Sequence, residues 1–110
     1  MTGPQPKNHI IDRASAAAMA RRHRQQNPAN AARPGADGEY GGMFMKDQVL
    51  TLLQQEGAKY LRFYYGRNDQ GGRELILVAA DEDMKDIQAM TLDGHYPCPP
   101  WCPEGSDLLG

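Results

Sequence analysis

Two cysteines and a histidine close to the end of the chain carry most of the chemistry that this sequence offers. His95, Cys98 and Cys102 stand in the stretch HYPCPPWCP, together with the single tryptophan, Trp101, and four of the eight prolines. Two thiolates and an imidazole are three soft or borderline ligands, and they suit zinc, which prefers four. The fourth would be water, His9, His23 or a group from a second chain. The spacing between the cysteines is CxxxC, which differs from the CxxC knuckle of common zinc sites. The same two thiols could instead close a small disulfide ring of the labile, redox-responsive kind. Only His95 stands nearby to depress a thiol pKa. In a third reading the stretch packs as a stiff cap on the fold without chemistry, because free cysteine behaves as a small hydrophobe and tryptophan favours partly buried sites.

Proline limits what this stretch can do. Tyr96, Cys98, Pro99 and Cys102 each precede a proline and are therefore pushed toward extended conformations. Pro100 and Trp101 are left to turn, and a type I turn with those two residues at its centre is expected. Such a turn would set Cys98 and Cys102 on the two arms of a clasp.

The elements that must position the clasp are few. Asp12 suits an N-cap for RASAAAMARRHRQQ, predicting a helix from about Arg13 to Gln26 that stops before Asn27-Pro28. Its apolar positions are mostly alanine, which bury too little surface to hold the helix alone. Residues 27–42, NPANAARPGADGEYGG, have no apolar period and read as a flexible linker. From Met43 the pattern tightens. Phe44, Val49, Leu52 and Leu53 fall near one helical face, and Gly57 supplies the stop. Two β-rich runs follow, Tyr60 to Tyr65 and Glu74 to Ala80, around a turn rich in Asn, Asp and Gly, which predicts a β-hairpin. The second run is apolar without interruption and should be buried on both faces. A short third strand over Ile87 to Leu92 would extend the sheet.

The expected architecture is α+β: two helices and a small antiparallel sheet centred on a β-hairpin, with a Pro/Cys-rich C-terminal tail. Its segments are 1–26 (N-terminal segment and basic helix), 27–42 (linker), 43–93 (compact core) and 94–110 (tail). At 110 residues the chain is one domain at most, and so small a core makes a homodimer or a protein partner plausible. Six basic against three acidic residues lie in positions 1–40, and six against eleven in the remainder. That polarity suits association with a charged surface but is too weak to imply nucleic acid.

The order of features resembles a family of short uncharacterised bacterial proteins that end in a Cys-Pro-Pro-x-Cys motif. The residues that carry the resemblance are the Asn8-His9-x-Ile11 start before a capped helix, Phe44 opening a second helix that ends at Gly57, the run Leu61-Arg62-Phe63-Tyr64-Tyr65-Gly66, the strand ending Val78-Ala79-Ala80-Asp81, and the closing motif at Cys98 and Cys102. The resemblance implies an α+β domain of bacterial cytoplasmic origin and brings no catalytic residues with it. This sequence departs from that pattern in having Met45 where a polar N-cap would stand, and in a linker rich in Gly and Ala.

Other candidate features have plainer readings. Arg21, Arg22, His23 and Arg24 complement the dipole of the helix end, with no aromatic platform interleaved for a nucleic acid. Asp81, Glu82, Asp83 and Asp86 lack the glycine and distal glutamate of a calcium loop and read as a solvated strand exit. Tyr60, Tyr64 and Tyr65 have the spacing of cross-strand packing. Neither Ser15 nor Ser106 sits beside a histidine in a nucleophile elbow, and Gly66, Gly71 and Gly72 belong to the hairpin. No apolar run approaches the length of a membrane span. The sequence therefore predicts a cytoplasmic, non-enzymatic accessory or interaction protein, with no nucleic acid and no membrane as partner, in which Cys98 and Cys102 either ligate a metal such as zinc together with His95 or lock the tail. The alternative is a thiol-disulfide redox-responsive protein using Cys98 and Cys102.

Overall fold

The computed structural model describes residues 3–26 and 39–109. In chain order the elements are α1 (Arg13–Gln26), β1 (Gly41–Met43), α2 (Lys46–Leu53), β2 (Tyr60–Arg67), β3 (Arg73–Ala80) and β4 (Tyr96–Cys98). The fold is α+β, with two helices and two antiparallel sheets of two strands each, β2 with β3 and β1 with β4. By contact the chain divides into two units: Met1–Pro6 with Phe44–His95, and Lys7–Met43 with Tyr96–Gly110. Of the expected linker, residues 27–38 lie outside the described residues, and Gly41 and Gly42 belong to β1.

The first unit is organised by α2 and the hairpin. Leu52, on α2, is wholly buried against Leu77 and Ala79 of β3, with Phe44, Val49 and Leu92 packed around them. Helix α2 is shorter than the periodicity suggested, for a local reason. Met45 at its N-cap has no side-chain acceptor for the first N–H groups, and Phe44 lies ahead of the helix, packed on the core. At the other end Gln54 closes the last turn on Leu50, and Gly57 takes a left-handed φ of 85° that a side chain would disfavour.

β2 and β3 pair in the register Tyr60↔Ala80 through Arg67↔Arg73. Leu77, Val78, Ala79 and Ala80 are all buried, as their unbroken apolar run predicts. The expected third strand does not form as a strand. Instead the chain returning from β3 touches it at two isolated bridges, Leu77↔Leu92 and Ala80↔Asp86. Polar residues hold that return in place. The Asp81 carboxylate accepts from the backbone N–H groups of Asp83 and Lys85 at 2.9 and 3.0 Å, an Asx turn, while Met84 adopts φ 67°. Asp86 accepts from Arg62 at 2.6 Å and from the Tyr64 hydroxyl at 2.7 Å. These bonds, the Tyr64 hydroxyl first, hold the Asp86 carboxyl below its ordinary value of 3.8. Both carboxylates thus act as structural ties.

In the second unit, α1 spans the predicted residues and starts as predicted. Asp12 accepts from the Ser15 amide at 2.9 Å and from the Ser15 hydroxyl at 2.7 Å. The same two bonds lower the Asp12 pKa. No residue of α1 is buried, in keeping with its alanine face. The sequence left the docking place of this helix open, and the structure supplies it: Arg13 donates to Asp107 at 2.9 Å and Arg24 to the Leu108 carbonyl at 2.7 Å. The helix is tied at both ends to the C-terminal tail.

Two outcomes are expected for the first unit. Leu52→Ala empties the centre of its core and should lower unfolding stability by about 2–5 kcal/mol in denaturant titration. Asp86 has a depressed folded-state pKa, so its contribution is present above the ordinary value of 3.8 and is lost as pH falls through the folded value. The thermal midpoint should therefore fall below that pH, and less steeply in Asp86→Asn than in the parent.

Candidate functional site

The site is the clasp formed by the tail, and its position follows from β4. Gly41 pairs with Cys98, Gly42 with Pro97 and Met43 with Tyr96, and the Tyr40 amide donates to the Cys98 carbonyl at 2.7 Å. A Cβ at Gly41 would meet nothing within 4 Å, so close packing does not require glycine there. Proline is tolerated in so short a sheet because β4 makes few ladder bonds and Pro97 needs no partner for an N–H.

Beyond β4 the chain reverses, and Cys98 and Cys102 are joined as a disulfide with their Cα atoms 4.8 Å apart. The reversal differs from the expected type I turn at Pro100-Trp101. The Trp101 amide donates to the Pro97 carbonyl at 2.9 Å and the Cys102 amide to the Pro100 carbonyl at 3.0 Å. The Cys98-Pro99 and Pro99-Pro100 bonds are both cis. X-Pro bonds admit both isomers, and the φ and ψ preferences of the sequence do not choose between them. Trp101 folds back over the arm it came from, its ring edge-on to Tyr96 at 6.4 Å between centroids.

The disulfide forms part of the wall of an open groove of about 550 Å3. Tyr40, Met43, Trp101, Leu108 and Leu109 also line it. The far side of the tail is shaped by Ser106, whose hydroxyl accepts from the Leu108 amide at 3.2 Å. Asp107, next to it, holds Arg13, and that bond is what first lowers the Asp107 pKa. Both side chains are more than half exposed, so the pair guides α1 onto the tail more than it stabilises the unit.

The two sulfurs differ in their surroundings. Cys98 is 6% exposed, while Cys102 is only half-buried. Among the described residues lining the groove there is no lysine or arginine. An outside thiolate reaches the more open Cys102 sulfur more easily than the buried Cys98 sulfur, and attack there expels Cys98. The arrangement permits thiol–disulfide exchange and does little to accelerate it.

Of the three residues singled out in the sequence, the structure joins Cys98 and Cys102. His95 belongs to the first unit. There its ring packs near Phe44 at 6.2 Å, with Nδ1 3.8 Å from the Glu74 carboxylate. Among the described residues no group of three or more His, Cys, Asp or Glu is arranged to hold a metal ion. The opposite wall of the groove, Gly41, Gly42 and Met43, is not marked in the sequence: these residues carry no periodic signal, and Gly41 and Gly42 fall within the expected linker. No helix among the described residues is long and apolar enough to cross a membrane.

Exchange should be directional. Brief treatment with reduced glutathione, quenched in acid and mapped by mass spectrometry, is expected to show the mixed disulfide mainly on Cys102. Equal trapping on both cysteines would contradict the difference in burial. Comparison with protein-family models, with curated proteins and with solved structures finds no match to this chain.

Proposed function

We propose that the protein works by binding rather than catalysis, as a small accessory or interaction protein whose C-terminal groove is locked when Cys98 and Cys102 are joined and loosened when they are reduced. The observation that carries this reading is the pairing of the two thiols in the wall of an open apolar groove. In a cytoplasmic setting, as the sequence predicts, disulfides are transient and serve catalysis or sensing. A catalytic thiol needs its pKa lowered, and the described residues that line the groove include no lysine or arginine to do so, which supports sensing over catalysis. The partner would be another protein or a second copy of the chain.

The zinc reading belongs to the reduced chain, because joined thiols are not ligands. Supporting it is the 4.8 Å separation of the Cys98 and Cys102 Cα atoms, which leaves the freed thiolates close enough to share one ion. Native mass spectrometry of the reduced protein with one equivalent of zinc should then show a bound ion that Cys98→Ser loses. An unaltered apo mass in the parent would end that reading.

Two measurements test the main proposal. Reduction of insulin by dithiothreitol should proceed at the same rate with the protein, with Cys98→Ser and with neither, whereas turnover that depends on Cys98 would assign an oxidoreductase instead. The protein immobilised in its oxidised and reduced states should retain different sets of proteins from a soluble extract. Identical sets would contradict redox-dependent binding.

A further inference from the structure

Helix α1 is held between two jaws, and each jaw leads to one of the two cysteines. On one side, His23 of α1 places Nε2 3.4 Å from the Glu39 carbonyl. Glu39 adjoins Tyr40, whose amide donates to the Cys98 carbonyl at 2.7 Å. On the other side, Arg24 donates to the Leu108 carbonyl at 2.7 Å and Arg13 to the Asp107 carboxylate at 2.9 Å. Both acceptors lie a few residues beyond Cys102. The disulfide between Cys98 and Cys102 therefore closes a loop of contacts, from α1 through one jaw, across the sulfurs, and back through the other jaw to α1.

The tail jaw depends on that closure. Within residues 103–109 the Ser106 hydroxyl accepts from the Leu108 amide at 3.2 Å and the Ser106 carbonyl from the Leu109 amide at 3.1 Å. Among the described residues, the other hydrogen bonds of this segment are those to Arg13 and Arg24, and no strand pairing fastens it. Its polar anchors are thus Cys102 at one end and the helix that it grips. The bond from Arg24 is part-buried, whereas the Arg13–Asp107 pair is more than half exposed, so Arg24 carries more of the grip. The same turn supplies Leu108 and Leu109 to the groove.

Little else orders α1. None of its 14 residues is buried, and a free helix of that length is marginal in water even when rich in alanine.

We infer that α1 is a redox-released element, docked while Cys98 and Cys102 are joined and freed from its jaws when they are reduced. This deepens the redox reading of the clasp and rests on it. The reductant is a low-molecular-weight thiol. Its thiolate attacks the Cys102 sulfur, forms a mixed disulfide there and expels the Cys98 thiolate, which takes up a proton. A second thiolate attacks the reductant's sulfur in the mixed disulfide, which releases Cys102 to take up a proton in turn and leaves the reductant as its own disulfide. Two external thiols are oxidised and the cysteine pair is reduced. Each jaw then keeps its own bonds but loses the covalent tie to the other. Release of α1 also frees the Leu108 side of the groove to move. The coupling is reciprocal: a disulfide that favours the docked helix is favoured by the docked helix to the same degree.

The test uses the full chain, with glutathione as the thiol. Amide hydrogen exchange followed by NMR should show Ala17 and Ala20 of α1 losing protection by about tenfold or more on reduction, while Leu77 and Ala79 keep theirs. In the reciprocal measurement, the disulfide and dithiol forms are brought to equilibrium in glutathione buffers. Arg24→Ala should shift that equilibrium toward the dithiol by about threefold or more, and Arg24→Lys, which keeps a charged donor, by less. Equal protection of α1 in both redox states, or an equilibrium that Arg24→Ala leaves in place, would overturn the proposal. Loss of protection at Leu77 and Ala79 together with α1 would overturn it as well, since the whole chain would then be unfolding. Release of α1 with identical sets of proteins retained in both states would support α1 release and contradict redox-dependent binding. Different sets with α1 docked in both states would do the reverse.

Discussion

The bond between Cys98 and Cys102 is the constraint on which the C-terminal unit rests. Among the described residues of that unit only Cys98 and Glu39 are buried, so hydrophobic burial supplies little to hold it together. Small units without a sufficient core need a staple. Here Cys98 is fastened by backbone pairing to Gly41 and Tyr40. Cys102 leads into the turn that presents Asp107 to Arg13 and the Leu108 carbonyl to Arg24. The disulfide thus connects the strand pair to the segment that grips α1. Its effect on the unfolded chain is modest, about 2 kcal/mol for so short a ring. Its larger consequence is local, because it fixes the path of the tail along one wall of the groove.

The other unit follows a different rule. Leu52 is buried between α2 and β3, and the polar ties of Asp81 and Asp86 fasten the returning chain over the hairpin. Nothing in that unit depends on a covalent bond. A change in thiol state therefore has a defined place to act, and the Leu52 core supplies an internal reference against which a local change can be read.

Much of this was legible in the sequence, wherever the signal was local. Asp12 marks the start of α1, because a cap acts within a few positions of itself. The hairpin showed itself through two β-rich runs and a Gly/Asn turn. The pairing of β1 with β4 was not legible. Gly41 and Gly42 look the same in a loop and in a strand, and their partner lies more than fifty residues away. The path of the reversal at Pro99 and Pro100 was hidden as well, since both proline isomers share one sequence. Spacing identified Cys98 and Cys102 as neighbours in space, but it left metal, disulfide and packing open. The groove also needs Tyr40, Gly41 and Met43, which no local signal places beside them.

The central claim is that the disulfide governs the order of the C-terminal unit and leaves the α2–hairpin core alone. Amide hydrogen exchange on the oxidised and the fully reduced protein tests it most directly. The account predicts that reduction speeds exchange at Tyr40 and Trp101, whose amides bond to the Cys98 and Pro97 carbonyls, while Leu77 and Ala79 keep their protection. Unchanged exchange at Tyr40 and Trp101 after reduction, or equal loss of protection in both units, would contradict it.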